Sequence, residues 1–334
     1  MNLSFENTSV KSCPQIGESI TVPYSATDSM QMATMVGIII NCVMWPTGLS
    51  ANVLVFITVL RKPQLRTVYN TSVLCLMSTD LCVIVVAQTC NVVYLVNKFV
   101  TGDYSCSLFF VYNLFTWWCH GLSFVTLLLI SIERYFAVFH PFWYEESVTK
   151  TRIFCVVLSS WIFWSAVVFI LHFIPSISHT SRTIVVTSFF LPSIISTLVI
   201  YCKIFKEIQR GNVVQVSPPD TEIQARKSSK TVGLIIGVQV VSFVPSFCLN
   251  IVQALSPMRK DLLIHGIFPF AEAAAYMNAV LDPVIYFWRN REARRSLKEL
   301  RRNCRRSDSH CVRPSQTKRT SVVRLSSFGE PFRG

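Results

Sequence analysis

Seven long apolar segments follow one another along the 334-residue chain and are separated by shorter polar stretches. A helix needs about 20 apolar residues to cross a bilayer, and it satisfies its own backbone hydrogen bonds there. The pattern therefore predicts an all-α membrane protein built as a bundle of seven transmembrane helices. The predicted spans cover residues 33–60, 69–97, 106–137, 152–175, 183–206, 230–255 and 262–288.

The basic residues between the spans alternate from one side to the other. Lys and Arg are frequent after the first, third and fifth spans and scarce after the second, fourth and sixth. The positive-inside rule then places the N-terminus outside and the C-terminal tail in the cytoplasm. The predicted domains are an extracellular segment (1–32), the seven-helix bundle (33–288), an amphipathic membrane-surface helix (289–303) and a basic cytoplasmic tail (304–334).

Composition supports a membrane location and adds two details. Apolar residues make up 51% of the chain and charged residues only 15%, against about 25% charged residues in a typical soluble domain. Asn2 and Asn7 each begin a glycosylation sequon, which fits an extracellular N-terminus. The net charge of +13 is concentrated in the tail, which favours contact with anionic membrane lipids. Nucleic-acid binding would explain the basic tail but not the apolar spans, so it is excluded.

Ionisable residues inside membrane spans are costly and usually mark functional sites. Asp80 lies in the second predicted span, Glu133 and Arg134 end the third, and Glu272 and Asp282 lie in the seventh. Glu133 and Arg134 are adjacent, so a pair of opposite charges ends an otherwise apolar run. One alternative for this pair is that both side chains simply extend to the lipid headgroups.

Landmark residues in the seven spans resemble those of rhodopsin-like (class A) G-protein-coupled receptors. The resemblance covers about residues 33–303. Its landmarks are Asn52, Asp80, Glu133-Arg134-Tyr135, Trp161, Pro192, Pro245 and Asp282-Pro283-Val284-Ile285-Tyr286.

The resemblance implies an activation switch at the cytoplasmic side. In the family, the acid–arginine–tyrosine motif holds its arginine at rest and releases it to the G protein in the active state. The implied switch residues are Glu133, Arg134, Tyr135, Phe243, Pro245, Asp282, Pro283 and Tyr286. Phe243 stands where a tryptophan is usual, and Ala225 stands where many receptors place an acid facing the arginine. We therefore expect raised basal activity.

The resemblance also implies a polar core midway through the bundle that often holds a sodium ion. Its residues here are Asn52, Asp80, Ser123, Asn278 and Asp282. Oxygen ligands of this kind suit a hard cation, and Asp80 is the expected metal ligand. The alternative is a hydrogen-bonded network of water without an ion.

Cysteine positions depart from the usual receptor pattern. The second extracellular loop, at residues 176–182, contains no cysteine, so the usual bridge to the third span cannot form. Only Cys13 and Cys106 lie clearly on the oxidising extracellular side, and we predict that they pair; the alternative is two free thiols. Cys304, after the membrane-surface helix, is a candidate for palmitoylation.

Residues in the outer half of the bundle argue against two classes of ligand, retinal and amines. The seventh span has no lysine to hold retinal, and Tyr276 stands at the matching position. Thr116 replaces the aspartate of amine receptors. The short second loop and the DPVIY ending are similar to those of melanocortin, adenosine, cannabinoid and lysophospholipid receptors. The predicted ligand pocket consists of Thr116, His120, Asn250, Gln253, Glu272 and Tyr276.

Glu272 has two interpretations. Its carboxylate could bind a cationic group of the ligand, such as a basic peptide side chain, or it could pair internally with His120 or His265. The sequence leaves both open.

The resemblance implies a plasma-membrane receptor without enzymatic activity, which passes the binding of a peptide or a small non-amine molecule to heterotrimeric G proteins. Arrestin would bind after phosphorylation of the tail. The alternatives are a seven-span transporter or channel, and a non-signalling decoy receptor.

Overall fold

The computed structural model describes residues 8–13, 18–23, 28–101, 105–174, 177, 179–210, 219–255, 266–299 and 302. Ten α-helices are present in this part of the chain. They are α1 (Asp28–Arg61), α2 (Val68–Cys82), α3 (Thr89–Thr101), α4 (Cys106–Phe139), α5 (Pro141–Ser147), α6 (Lys150–Phe173), α7 (His179–Arg210), α8 (Pro219–Leu255), α9 (Phe268–Arg289) and α10 (291–299).

These helices form the predicted seven-span bundle. The first span is α1, the second is α2 together with α3, and the third to seventh are α4, α6, α7, α8 and α9. Six of the seven are long and apolar enough to cross a membrane by length and composition alone. The seventh, α9, carries two buried acids and packs against α1 and α8. The prediction of an all-α membrane bundle is confirmed.

The segment before α1 contains a feature that was not predicted, a two-stranded antiparallel hairpin. Strand β1 (Thr8–Cys13) pairs with β2 (Glu18–Pro23), with Thr8 opposite Pro23 and Cys13 opposite Glu18. The β-branched residues of SVKS and SITV fit strands, but such short runs give a weak pattern.

The second span is interrupted by a π-helical segment, Val83–Gln88, between α2 and α3. Gln88 Nε2 donates to the carbonyl oxygen of Asn41 in α1 at 3.2 Å and to its Oδ1 at 3.1 Å. Trp45 Nε1 donates to Thr89 Oγ1 at 3.2 Å. These two contacts fix the segment against the first span. Because π geometry takes more residues per turn than α geometry, α3 is rotated relative to a regular continuation of α2.

The third and fourth spans approach each other closely at Gly121. A Cβ atom on this glycine would lie 1.9 Å from Trp164 Nε1, so only glycine fits. The indole nitrogen of Trp164 donates to the Trp118 carbonyl oxygen at 3.1 Å. This contact fixes the depth of α4 in the bundle, and with it the positions of the functional residues on that helix.

The short helix α10 docks on the bundle beside the end of α9. Ala293 is fully buried in the same apolar cluster as Leu65 and Tyr286. Lys62, in the loop between α1 and α2, forms an ion pair with Glu299, and this contact lowers the pKa of the Glu299 carboxyl. The small side chain of Ala293 therefore lets α10 pack tightly against the bundle.

Candidate functional site

A cavity in the outer half of the bundle is lined by residues of the second, third, sixth and seventh spans. Four of the six predicted pocket residues line it: Thr116, His120, Asn250 and Glu272. Tyr276 lies beside the cavity. The side chain of Gln253 lies outside the described part of the structure.

Tyr276 supports the third span from the seventh. Its hydroxyl lies 3.3 Å from Thr116 Oγ1, and its ring stacks on His120 with a centroid distance of 5.4 Å. His120 Nδ1 lies 2.9 Å from the Thr116 carbonyl oxygen. Because a carbonyl oxygen only accepts, Nδ1 carries the hydrogen, and Nε2 of the neutral ring is left as an acceptor.

Glu272 is buried, with 5% of its surface exposed, and the hydroxyls of Tyr112, Ser246 and Tyr276 surround its carboxyl. Its Oε2 has no hydrogen-bond partner in the described structure, and neither has His120 Nε2. The internal pair between His120 and Glu272 is therefore not formed. His265 lies outside the described residues.

Aromatic side chains fill the space on the fifth-span side of the cavity. Phe190 of α7 stacks on Trp117 at 6.0 Å and contacts Phe124 at 4.9 Å and Phe243 at 6.2 Å. The cavity therefore opens towards the second and seventh spans instead. Sequence reasoning missed its second-span wall, Asn91, Tyr94 and Leu95, because the π-helical segment that rotates α3 leaves no trace in the apolar pattern.

Phe243 connects the outer cavity to the interior. It lies edge-on to His120 at 5.0 Å and to Phe124 at 4.7 Å. Two residues beyond it is Pro245, and Ser246 Oγ donates to the Ala271 carbonyl oxygen at 2.8 Å, which joins the sixth span to the seventh. A displacement of His120 would therefore press directly on the sixth span next to its proline.

The polar core, Asn52, Asp80, Ser123, Asn278 and Asp282, is buried throughout. Asn52 Nδ2 donates to the Ala279 carbonyl oxygen at 2.7 Å and so joins the first span to the seventh. Asp80 lies close enough to Asp282 for their charges to repel each other. Ser123 Oγ donates within its own helix, to the Cys119 carbonyl oxygen.

Five buried oxygen atoms of the polar core have no hydrogen-bond partner in the described structure. They are Asn52 Oδ1, Asp80 Oδ2, Asn278 Oδ1, Asp282 Oδ1 and Asp282 Oδ2. All five are acceptors when the acids are ionised, and a buried acceptor without a donor or a cation is costly. No cluster of three or more His, Cys, Asp or Glu residues occurs in the described ranges. The donor set of two carboxylates and amide oxygens fits a small hard cation or ordered water.

The arginine cluster is formed by Ser72, Glu133, Arg134, Tyr144 and Ser228. Arg134 and Glu133 form a buried ion pair, with 3% and 4% of their surfaces exposed. Both charges lie inside the bundle, so the alternative in which they extend to the lipid headgroups does not describe this structure.

Polar contacts from three other helices close around the pair. Ser72 Oγ of α2 donates to Glu133 Oε2 at 3.1 Å, and the Tyr144 hydroxyl of α5 donates to Glu133 Oε1 at 2.5 Å. Arg134 Nη1 donates to Ser228 Oγ of α8 at 2.8 Å, and Nη2 donates to the Tyr144 hydroxyl at 3.0 Å. The guanidinium also lies over the Tyr69 ring, 5.1 Å from its centroid.

Tyr144 and Ser228 were missed in the sequence, since nothing local marks either residue. The side chain of Ala225, three residues before Ser228, lies outside the described part of α8. The sixth span therefore contacts Arg134 through a neutral hydroxyl.

The other residues predicted for the switch in this part of the site lie on α4 and α9. The Tyr286 hydroxyl donates to Asn70 Oδ1 at 3.1 Å and links the seventh span to the second. Tyr135 stacks on Phe139 at 4.6 Å. Pro283 and Asp282 are buried within α9.

Cys106 is disulfide-bonded, and its partner is outside the described side chains. The other described cysteine side chains are free thiols. The pairing of Cys106 with Cys13 stays a prediction. Asn2, Asn7 and Cys304 lie outside the described residues, so glycosylation and palmitoylation also stay predictions.

Comparison with known proteins identifies receptors as relatives. The octopamine receptor beta-1R of Drosophila melanogaster is 25% identical over 305 residues, which cover 74% of this chain and 58% of that receptor. The melanocortin receptor 4 of Danio rerio is 25% identical over 182 residues, 52% of this chain and 55% of that receptor. The chain thus spans little more than half the length of these relatives. The family model of the 7 transmembrane receptors (rhodopsin family) matches residues 51–286, and the chain belongs to this family.

Proposed function

We propose that this protein is a plasma-membrane receptor, with its N-terminus outside, that passes the binding of an extracellular ligand to heterotrimeric G proteins. The observation that carries the proposal is the buried ion pair of Glu133 and Arg134, held by residues of the second span, the sixth span and α5. A buried charge of this kind must always have a partner, since loss of one partner costs about 3–5 kcal/mol.

The arrangement can serve as a two-state switch. In the described state Glu133, Tyr144 and Ser228 occupy the donors and acceptors of the cluster. An outward movement of the cytoplasmic end of α8 would remove Ser228 from Arg134, and the guanidinium would then need a new acceptor. A G protein that supplies a carbonyl or carboxylate oxygen to the opened cleft would stabilise the second state.

Basal signalling depends on how strongly the sixth span is held. A hydrogen bond with one charged partner contributes about 1.5–3 kcal/mol, and a second, opposite charge adds an attraction to it. Ser228 gives Arg134 one hydrogen bond without an opposite charge. The resting state therefore lacks the stronger contact that an acid would make, which supports raised basal activity.

The ligand is proposed to occupy the outer cavity and to present a cationic group to Glu272. The free Oε2 atom supports this, because a buried acceptor without a partner is satisfied when a donor binds. Phe243 and Pro245 would pass the movement of His120 to the sixth span. The amine ligand in the name of the octopamine receptor is not carried over, because Thr116 stands where amine receptors have an aspartate.

The polar core is proposed to hold a sodium ion, with Asp80, Asp282, Asn52 and Asn278 as the residues that would bind it. The ion would neutralise the repulsion between the two carboxyls and hold the spans together. Arrestin after phosphorylation of the tail, and membrane lipids at the basic tail, are the further proposed partners.

The test is ligand-free nucleotide exchange in membranes that carry the full chain, measured across a panel of G proteins with Arg134→Ala as the control. Exchange above the control is expected for at least one G protein. If the chain instead moved solutes across liposomes and gave no exchange on any G protein, with or without added compounds, the proposal would be wrong and a transporter would be favoured.

A further inference from the structure

Three polar atoms on the walls of the outer cavity are buried and have no hydrogen-bond partner in the described structure. They are Asn91 Nδ2 on the second span, His120 Nε2 on the third and Glu272 Oε2 on the seventh. The three residues are 2%, 4% and 5% exposed. Buried polar groups are nearly always paired, so three such atoms around one cavity form a polar set that a bound ligand would satisfy.

The three atoms differ in their hydrogen-bonding roles. Glu272 Oε2 and His120 Nε2 are acceptors on the side formed by the seventh and third spans. Asn91 Nδ2 is a donor on the second-span side. An occupant that satisfies all three must therefore donate at one end and accept at the other.

A buried lysine extends the donor side. Lys98 lies seven residues after Asn91, hence on the same face of α3 and about 10 Å further outward. It is 9% exposed, and its Nζ has no hydrogen-bond partner in the described structure. Lys98 lies one helical turn beyond Tyr94 and Leu95, which line the cavity.

The two charges thus lie on different spans, Glu272 on the cavity wall and Lys98 one helical turn beyond the part of α3 that lines it. Lys98 gives the second-span side a positive charge, and Glu272 gives the seventh-span side a negative charge. The salt bridges of the described residues do not include either group. Each is a buried charge that an opposite charge would stabilise. The unpaired donor Asn91 Nδ2 lies on the same helix as the positive charge, and the unpaired acceptor Glu272 Oε2 belongs to the negatively charged residue.

We propose that the outer cavity is a site for a zwitterion, with its ammonium group at Glu272 and His120 and its carboxylate on the second-span side, at Asn91 and towards the positive charge of Lys98. The inference rests on the proposed receptor function and adds the second, anionic end of the ligand. A free amino acid with separated charges and the two ends of a short peptide share this chemistry. A molecule with one charge leaves either Lys98 or Glu272 without a partner.

The test uses ω-amino acids as probes of the charge separation. Purified full-length receptor in lipid nanodiscs is heated with 4-aminobutanoate, 6-aminohexanoate or 8-aminooctanoate, and with the matching alkylamines and alkylcarboxylates. We expect at least one ω-amino acid to raise the midpoint of thermal unfolding by about 2–5 °C. The matching amine and carboxylate should give at most a third of that shift. Triglycine and triglycine amide form a second arm, and a larger shift from triglycine than from its amide would identify a peptide as the source.

Two variants test which residue interacts with each charged end of the zwitterion. Lys98→Met should weaken binding of the best ω-amino acid at least tenfold and leave binding of the matching amine unchanged. Glu272→Gln should weaken binding of the ω-amino acid and the amine but not of the carboxylate. Lys98→Arg keeps the charge and should keep the preference for the zwitterion. Lys150→Met removes an exposed lysine at the start of α6 and serves as the matched control.

The proposal is overturned if no zwitterion in either arm exceeds its singly charged analogues, or if Lys98→Met retains the preference. The midpoint of each variant without added compound shows whether it is folded. Because binding is read without a G protein, the receptor function can fail in the exchange assay while the zwitterion site stands. A receptor that gives exchange but has no preference for zwitterions would overturn only the inference.

Discussion

The hydroxyl of Tyr144 donates to Glu133 Oε1 at 2.5 Å, and so a residue of the short helix α5 holds the acid of the buried ion pair. The same hydroxyl accepts from Arg134 Nη2 at 3.0 Å. One side chain outside the spans therefore contacts both members of the pair. The segment between α4 and α6 that carries α5 is one of the parts of the chain that hold the ion pair.

Tyr144→Phe should raise basal nucleotide exchange at least about tenfold. The change keeps the ring and removes both hydrogen bonds of the hydroxyl to charged groups, each worth about 1.5–3 kcal/mol, from the resting state only. The measurement is ligand-free exchange at equal receptor density. Phe142→Leu alters an exposed neighbour in the same helix and should leave the rate unchanged. Equal exchange by Tyr144→Phe and the parent chain would show that α5 does not hold the resting state.

Ser228→Asp should lower basal exchange about tenfold. The carboxylate would replace the neutral acceptor of Arg134 Nη1 with a charged one and strengthen the resting contact of the sixth span by about 1–2 kcal/mol. The same exchange assay measures it. Ser228→Thr keeps the hydroxyl and should behave like the parent chain. Unchanged or higher exchange from Ser228→Asp would contradict the view that the sixth span is weakly held.

Membrane crossing and the position of the charged pair could be predicted from the sequence, because each rests on a local pattern. Long apolar runs must be helices in lipid, and Glu133 and Arg134 are adjacent in the chain. The partners Ser72 and Ser228 could not be predicted in this way. They lie 61 and 94 residues from the atoms that they contact, and only the packing of α2, α4 and α8 brings them there.

The outer cavity was predicted in part for a similar reason. Thr116 and Glu272 were found because they are polar residues in apolar spans. Asn91 and Tyr94 were missed as cavity residues, since the segment Val83–Gln88 is an ordinary apolar run by composition. The hydrogen bonds of Gln88 to Asn41 hold this segment against the first span. They form only when the first and second spans pack together, so the sequence pattern does not reveal them.

Sodium should stabilise the protein through the polar core. Replacement of sodium by choline at constant ionic strength is expected to lower the midpoint of thermal unfolding by several degrees, because Asp80 and Asp282 lose the cation that separates their charges. Asp80→Asn should remove the dependence on sodium, since it takes away the charge of the expected metal ligand. Glu299→Gln removes an acid at the surface and should retain the dependence. A parent chain that is indifferent to sodium would show that the unpaired oxygens bind water.

The close contact between the third and fourth spans should be intolerant of a single added methyl group. Gly121→Ala places a Cβ atom within 2.0 Å of two atoms of the Trp164 indole ring, and the buried ring cannot move without loss of its hydrogen bond to Trp118. We expect a loss of stability of about 2–4 kcal/mol, as overpacking and a broken hydrogen bond combine.

Gly237→Ala in the sixth span is the matched control, because a Cβ atom there meets nothing within 4 Å. It should be neutral or stabilising by up to about 1 kcal/mol, since alanine has the higher helix propensity. Thermal unfolding of the two variants in the same detergent measures the difference. If Gly121→Ala matched Gly237→Ala in stability, the third and fourth spans would have to be further apart than this structure places them, and the depth of Arg134 and His120 on α4 would no longer be fixed by Trp164.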